Sequence, residues 1–489
     1  MATSISTSGT GTISSAGIGS GLDVNSIVTQ LMALEHRPLT ALQTKASTIQ
    51  STVSEYGKIQ STVSTLRDLS VKLASKATWG QTVATSSGTA VSASVNGSTA
   101  GTYTVEVSSL ANVQTLASTA QPATTALGAG TLHIELGTWG GGSNGAPSTF
   151  APSGTPPAVD IAVSATDTMA DVRDKINGAS AGVTAMIMTD ASGSRLLIRS
   201  NATGAANGFR TSVADADGNN TDAAGLSTLA YDPSTGGAQM ARSQIAADAV
   251  ATVNGLAVTS ASNTLANIVD GLTLNLNAPT TAPVTVNVVT DTDSLKKTIT
   301  DFAAAYTAVY KLIATDTKYD ATSKQGGILQ GDSAAVGLQN QLRALAGGLS
   351  GASTTLSRLS DAGLQIQADG SMTVNSNKLD SALGNLAEIT KLFSNSNLTD
   401  PTQDGFAKRF RTATDAMLGV DGSITTRTTG LGYQLQRNQK DQDTLNVRLA
   451  DIEKRMRAQY TALDTQMASF STQSSYITQQ IAAWNNNKN

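Results

Sequence analysis

The sequence predicts an α+β multidomain protein with a nested order: N- and C-terminal coiled-coil helices form a leg, a helical domain follows, and two β-rich head domains occupy the middle of the chain. Apolar residues recur every three or four positions near both ends and every second position in the centre. The 489 residues are enough for about three or four domains. Charged residues make up 14% and aromatic residues 4%, a composition that suits long, shallow packing surfaces.

The composition also excludes most kinds of chemistry. There is no cysteine, and the two histidines, His36 and His133, are far apart in the chain, so a catalytic triad or a Cys- or His-based metal site is not expected. The net charge of −4 leaves no basic footprint for nucleic acid. No apolar run reaches the roughly 18 residues of a membrane span. We therefore predict no enzyme activity, no catalytic residues, no cofactor, no metal, no nucleic-acid partner and no membrane insertion.

The N-terminal region predicts two consecutive helices. Residues 1–21 are rich in Ser, Thr and Gly and are expected to be disordered, without a secretory signal. Asp23 is a good N-cap for the first helix. Pro38 should push Arg37 out of the helical region and open a second helix that runs to about Lys76. The apolar stripe of the first helix is Val24, Ile27, Val28, Leu31 and Leu34; that of the second is Leu42, Ala46, Ile49, Val53, Tyr56, Val63, Leu66 and Leu73.

The central region predicts β-structure, because apolar and polar residues alternate there. Asn96-Gly97 reads as a hairpin turn, and its overlap with the glycosylation sequon Asn96-Gly-Ser98 is incidental. The stretch from Gly140 to Pro157 is expected to be a long exposed loop, and Met169–Ile176 a short helix capped near Asp167 or Thr168. The clearest predicted strands are 91–95, 103–107, 159–163, 183–188, 196–198, 272–276 and 284–288.

The C-terminal region returns to helical spacing. A helix carries Leu295 to Ile313 on one face, a hairpin turns at Asp369-Gly370, and the last 45 or so residues form one long helix. A helix of that length needs a partner surface. Its stripe could pack inside its own fold, or pair with the N-terminal helices or with another molecule. Further helices are predicted near 333–347, 378–394 and 404–418. The long stripe is Leu445, Leu449, Ile452, Met456, Tyr460, Leu463, Met467, Phe470, Ile477, Ile481 and Trp484.

These elements predict four domains, three of them built from two separate segments. We expect a terminal coiled-coil or disordered leg (1–37 with 440–489) and a helical stalk (38–77 with 291–439). A β-rich head domain (78–122 with 241–290) carries an inserted variable α+β head domain (123–240).

Two local patterns have simpler explanations than a binding site. Lys454, Arg455 and Arg457 are expected to form a solvated helix face rather than a nucleic-acid patch. The stretch from Asp215 to Asn219 hints at a calcium loop, but the first ligand position would be Val213, so a surface turn is predicted.

Several motifs, in the right order, resemble those of the flagellar filament cap proteins, the hook-associated protein 2 family. The resemblance spans almost the whole chain and is weakest over 123–240. The N-terminal signature is Gly19-Ser20-Gly21-Leu22-Asp23-Val24-Asn25-Ser26-Ile27-Val28, continuing to Leu31-Met32. The other matching stretches are Val253-Asn254-Gly255 with Ser262-Asn263-Thr264 and Asp270-Gly271-Leu272 (a flagellin-hook-like repeat), Phe302 to Tyr319, Gly331-Asp332-Ser333, Gly363-Leu364 with Asp369-Gly370, and Arg457 to Trp484.

The resemblance implies a structural cap at the distal end of the bacterial flagellar filament that promotes insertion and folding of exported flagellin and prevents its leakage. It further implies a protein secreted through the flagellar type III export channel to the extracellular tip, where it forms a ring homo-oligomer, a pentamer. The implied partners are other copies, flagellin, the hook–filament junction proteins and a cytoplasmic export chaperone on the C-terminal helix. The expected assembly residues are Leu22, Asp23, Val24, Ile27, Leu31, Leu449, Ile452, Leu463, Met467, Phe470, Ile477, Ile481 and Trp484.

Two other functions stay open at this stage. The chain could be a host-surface adhesin that binds mucin or other host glycans through the exposed head domain. It could also be another axial protein, such as flagellin or a hook–filament junction protein.

Overall fold

The computed structural model describes residues 23–141, 147–322 and 324–486. The chain divides into two compact units, Met1–Thr78 with Asp293–Asn489, and Trp79–Thr292. The first unit is mainly helical and contains both ends of the chain, whereas the second is built mainly from strands. The predicted mixed, nested fold is therefore confirmed. The finer division into four domains stays a prediction. The disorder expected for residues 1–21 also stays a prediction, because these residues lie outside the described ranges.

The α-helices of the described residues are, in chain order, α1 (Val24–Glu35), α2 (Arg37–Ala74), α3 (Lys76–Trp79), α4 (Met169–Gly178), α5 (Thr292–Thr317), α6 (Ser333–Gly347), α7 (Ser376–Leu383), α8 (Leu386–Ser394), α9 (Phe406–Leu418) and α10 (Ser423–Asn486). The strands are β1 (Thr82–Ser86), β2 (Val91–Val95), β3 (Gly101–Ser109), β4 (Thr115–Ala117), β5 (Gly130–Gly140), β6 (Thr149–Pro152), β7 (Val159–Val163), β8 (Val183–Asp190), β9 (Gly193–Ser200), β10 (Gly208–Asp215), β11 (Tyr231–Asp232), β12 (Gly237–Ala238), β13 (Ala241–Gln244), β14 (Ala249–Val253), β15 (Leu256–Ser260), β16 (Thr264–Val269), β17 (Leu272–Leu276), β18 (Val284–Thr290), β19 (Tyr319–Asp320), β20 (Gln325–Gly326), β21 (Leu364–Ile366) and β22 (Met372–Val374).

The junction between the first two helices differs from the prediction. Asp23 caps α1 as expected, since its Oδ1 accepts a hydrogen bond of 2.9 Å from the Ser26 backbone N–H. Arg37, however, is the first residue of α2 rather than a break before Pro38. A proline in the first helical turn gives up only an N–H that would have no partner within the helix, so α2 tolerates it there.

The few aromatic residues of the chain are concentrated in the helical unit. Phe302, Tyr306 and Phe410 are fully buried, and the Phe302 and Phe410 ring centroids lie 5.1 Å apart in edge contact. Phe393 packs edge-on against Phe302 at 6.5 Å. This cluster joins α5, α8 and α9 into a dense core, which the overall composition could not predict.

A buried ionic network fixes α2, α6 and α10 to one another. The Asp332 carboxylate accepts hydrogen bonds from Tyr56 Oη at 2.8 Å and from Arg427 Nε at 2.9 Å. The same carboxylate caps α6 by accepting from the Ala334 and Ala335 backbone N–H groups. Burial alone would raise the pKa of Asp332, but the hydrogen bonds from Tyr56 and Arg427 outweigh burial and lower it. The charged carboxylate of Asp332 therefore holds α2, α6 and α10 together.

The predicted hairpin at Asp369-Gly370 is present as β21 and β22, and its turn depends on Gly370. This residue has φ +80°, and a Cβ placed on it would lie 2.0 Å from the ring of Tyr310. We expect Gly370→Ala to lower the free energy of unfolding of the helical unit by about 2–4 kcal/mol, because left-handed strain adds to a steric clash. Urea unfolding followed by circular dichroism at 222 nm measures the loss.

Gly331→Ala is the matched control for that substitution. Gly331 also has φ +80°, but a Cβ there would meet no atom within 4 Å. It should cost only the conformational strain of about 1–2 kcal/mol. Equal losses in the two variants would contradict the proposed clash with Tyr310.

The β-rich unit contains a first core between two sheets. The five-stranded sheet has the order β1-β18-β3-β14-β15 and the three-stranded sheet the order β16-β17-β2. Strands from both 78–122 and 241–290 therefore pair in each sheet. The hairpin expected at Asn96-Gly97 is wrong, because β2 and β3 belong to different sheets, and Asn96 N–H donates instead to Gly271 O at 2.7 Å. Long-range pairing of β2 with β17 overrides the local turn signal.

The second core of this unit lies between a sheet of order β12-β11-β10-β5-β6, with β7 paired to β5, and a sheet of order β13-β4-β9-β8 covered by α4. The capping of α4 by Thr168 is confirmed. The stretch from Gly140 to Pro157 is not simply a loop, since β6 returns along β5 and places Phe150 opposite Trp139 with ring centroids 4.6 Å apart. Covering this apolar pair favours a strand where glycine and proline suggested a loop.

Candidate assembly surface

The N-terminal helix α1 packs along the middle of α10 within one chain. The buried residues of this cluster are Val24, Val28 and Met32 of α1, Leu39 of α2 and Leu449 of α10, and Leu445, Ile452, Met456 and Tyr460 are partly buried against them. A short amphipathic helix such as α1 is stabilised mainly by this tertiary packing. The contact therefore gives the first half of the C-terminal stripe its partner.

A polar contact fixes the register of α1 on α10. Arg457 Nη1 donates to Asn25 Oδ1 at 2.9 Å, and Arg457 Nε donates to Glu453 Oε1 at 2.9 Å. Lys454 and Arg455 are exposed, as a solvated face predicts. Arg457 is half-exposed, but it also bridges the two helices, which the basic cluster alone did not indicate.

Beyond Tyr460, α10 presents an exposed apolar stripe. Leu463, Met467, Phe470, Ile477, Ile481 and Trp484 are each between 43% and 68% exposed. Their spacing of four and three residues is the a/d pattern of a coiled coil, with Ser474 at the one polar position of the repeat. A stripe of this kind is stabilised when a second helix covers it, because each large apolar side chain gains about 2 kcal/mol on burial.

The predicted assembly residues thus fall into two groups. Val24 and Leu449 are buried and Ile452 is half-buried in the α1–α10 contact. Ile27 and Leu31 are half-buried on α1 but do not belong to that cluster, and Asp23 caps α1. The remaining six form the exposed stripe. Leu22 lies outside the described residues.

The contact between α1 and α10 differs from the predicted stripe at three residues. Met32 and Leu39 were not placed on the predicted apolar stripes, although Val24, Val28 and Met32 follow one another at steps of four. Leu34, expected on the apolar stripe, is 54% exposed. The face of α1 that meets α10 is set by the i, i+4 positions, and Leu34 lies beside it.

The described residues provide few side chains suited to metal binding or catalysis. They contain no group of three or more His, Asp or Glu side chains able to hold a metal ion. His133 lies in β5 and pairs with Asp160 of β7 at 2.6 Å. In the part of the chain that the structure describes, no helix combines the length and apolar character required to cross a bilayer. What the surface can provide is apolar contact along a helix.

The fold and this surface are those of a structural protein whose long C-terminal helix exposes an apolar stripe. The chain belongs to the flagellar hook-associated protein 2 family. The family model described as "Flagellar hook-associated protein 2 N-terminus" matches residues 20–114, and that described as "Flagellar hook-associated protein 2 C-terminus" matches residues 246–472. The "Flagellin hook IN motif" matches residues 144–202, a different stretch from the 253–272 repeat noted in the sequence.

Individual relatives agree over the full length. The chain is 31% identical to flagellar hook-associated protein 2 of Escherichia coli K12 over 487 residues, which cover 97% of this chain and 99% of the relative. It is 29% identical to B-type flagellar hook-associated protein 2 of Pseudomonas aeruginosa, over 96% of this chain and 97% of the relative. The crystal structure of the flagellar cap protein FliD D1-D2-D3 domains from Escherichia coli matches with a TM-score of 0.56 at 29% identity, covering 77% of this chain and 99% of that chain.

The protein is therefore a flagellar filament cap protein located at the filament tip, and its family is structural. These relatives give no support to the adhesin alternative or to the host-glycan partner that it required.

Proposed function

We propose that this cap is a ring homo-oligomer, a pentamer, that sits on the distal end of the filament, promotes insertion and folding of each exported flagellin subunit and stops flagellin from leaking away. It acts by steric gating and helix packing, without enzyme activity. The chain reaches this extracellular site by secretion through the flagellar type III export channel. In this proposal the leg (1–37 with 440–489) and stalk (38–77 with 291–439) contact the filament end, while the head domains (78–122 with 241–290, and 123–240) cover the channel.

The exposed heptad stripe of α10 carries the proposal. The first half of the long helix is covered by α1, α2 and α9, whereas the stripe from Leu463 to Trp484 remains exposed in the single chain. A seam of that period is suited to another helix. Terminal helices of other copies, of flagellin and of the hook–filament junction proteins are the partners we assign to it.

The same stripe also suits a cytoplasmic export chaperone. Before secretion the apolar residues from Leu463 onward would otherwise be exposed to water, and an exposed stripe is an aggregation hazard. A chaperone bound there would be exchanged for the assembly partners at the tip.

Electron microscopy of the purified full-length protein tests the oligomer, and a flagellin assay tests the role. We expect closed small rings rather than long filaments. In the source bacterium, loss of the protein should move flagellin from filaments into the medium, and expression in trans should reverse it. Long filaments formed by this chain alone would point instead to a flagellin-like protein, and unchanged flagellin retention would contradict the cap proposal.

A further inference from the structure

A small cleft lies between α2 and α10, away from the exposed heptad stripe. Its volume is about 280 Å³. Its lining comes from both helices and consists of Leu42, Lys45, Gln434, Arg437, Asn438 and Asp441.

The lining of the cleft includes a buried donor with no acceptor. Asn438 is only 4% exposed, and its Oδ1 accepts a hydrogen bond of 2.6 Å from Gln442 Nε2. Asn438 Nδ2 has no hydrogen-bond partner among the described residues. A buried donor without an acceptor is destabilising, and most buried polar groups in folded proteins have a partner. The amide therefore calls for an acceptor atom in the cleft.

The exposed residues of the lining supply positive charge. Lys45 on α2 and Arg437 on α10 are exposed and form no ion pair with the described residues. Asp441 is the one acidic group in the lining, so the three charges sum to +1. A planar guanidinium, an ammonium and an amide N–H around one small space form a donor set for an oxyanion.

We propose that this cleft binds an oxyanion, either a carboxylate or a phosphate, through Lys45, Arg437 and the Nδ2 amide of Asn438. Two sources share this chemistry: free inorganic phosphate, and an Asp or Glu side chain of a second copy of this chain. The site is independent of filament capping, since either source could fill it in the helical unit.

The first arm measures inorganic phosphate on the unassembled full-length protein. Thermal unfolding is followed by circular dichroism at a protein concentration below self-association, with sodium phosphate compared with sodium chloride at equal ionic strength. We expect phosphate to raise the unfolding midpoint, with half-saturation at roughly millimolar concentration. Lys45→Gln and Arg437→Gln should each weaken phosphate binding about tenfold. Asn438→Leu should remove the phosphate response, since it removes the unmet donor. It also removes the acceptor of Gln442 Nε2, so its folding is checked first.

Lys440→Gln is the matched control. Lys440 is exposed on the same helix and does not line the cleft, so this variant changes the net charge equally and should keep the phosphate response. Helical content at 25 °C confirms that each variant is folded before its response is compared.

The second arm measures self-association by analytical ultracentrifugation. If a neighbour's carboxylate fills the cleft, Lys45→Gln and Arg437→Gln should raise the protein concentration at which half of the chains are associated. The expected rise is about tenfold relative to Lys440→Gln, and phosphate should compete with assembly. Phosphate stabilisation without any effect on assembly assigns the site to the free anion. Phosphate no better than chloride, together with unchanged assembly of both charge variants, overturns the proposal. If the protein forms no rings, the proposed cap oligomer is contradicted, but the phosphate measurement still tests the anion site in the cleft.

Discussion

Deleting residues 461–489 is expected to abolish filament growth while leaving both units folded. The structure places the cut after Tyr460, because Leu445 to Tyr460 pack against α1 and their loss would also unfold the N-terminal helix. The deleted part of the helix carries the exposed stripe from Leu463 to Trp484. Filament growth is measured by electron microscopy of complemented cells, and folding by circular dichroism of the purified chain. Normal filaments from this truncation would refute the role assigned to the stripe.

A triple substitution separates the stripe from the length of the helix. Leu463→Ser, Phe470→Ser and Ile477→Ser together remove about 6 kcal/mol of potential burial, roughly four powers of ten in affinity. Thr465→Ser, Thr472→Ser and Gln479→Ser lie on the opposite face at the same spacing and should leave assembly unchanged. If both triple variants grow filaments equally well, the helix acts through something other than its apolar face.

Replacing Asp332 with Ala is expected to lower the free energy of unfolding of the helical unit by about 3–5 kcal/mol. The side chain of Asp332 is 6% exposed, and its loss leaves the Arg427 guanidinium and the buried Tyr56 hydroxyl without their partner and removes the cap of α6. The loss is measured by urea unfolding at 222 nm.

A second cap gives the matched control for Asp332. Asn375 caps α7 by accepting a hydrogen bond of 3.0 Å from the Lys378 backbone N–H, but it is exposed and belongs to no ionic network. Asn375→Ala should cost only about 1 kcal/mol. A loss of that size for Asp332→Ala would show that the network with Tyr56 and Arg427 adds nothing beyond a helix cap.

The same network predicts the response to acid. Because the pKa of Asp332 in the folded protein lies below its ordinary value of about 3.9, the charged carboxylate contributes its full stability above that pH. The contribution is lost as the pH falls through the lowered value. Asp332→Asn should therefore be less stable than the natural chain at neutral pH, and the difference should shrink below about pH 4. A difference that stays constant through this range would contradict the ionic role.

Local patterns in the sequence were enough to predict most of the elements. The N-cap at Asp23, the capping of α4 and the positions of α5, α6 and α9 follow from signals within a few residues, because helix and strand periods are imposed by the backbone itself. The 378–394 region, predicted as one helix, is two, α7 and α8, with Gly384 and Asn385 between them. The final helix begins at Ser423, well before the predicted start, since the two glycines Gly430 and Gly432 are held in a helix that packs on α2 and α9.

The sequence alone determined the class of most segments, the nested order and the apolar stripes of the terminal helices. Only the tertiary structure decided which stripes are covered, which strands share a sheet, and that Asp332, Tyr56 and Arg427 meet. The physical reason is that periodicity is a property of neighbouring residues, whereas burial depends on partners hundreds of residues away. Leu449 and Leu463 belong to one stripe in the sequence, yet α1 covers the first and leaves the second exposed.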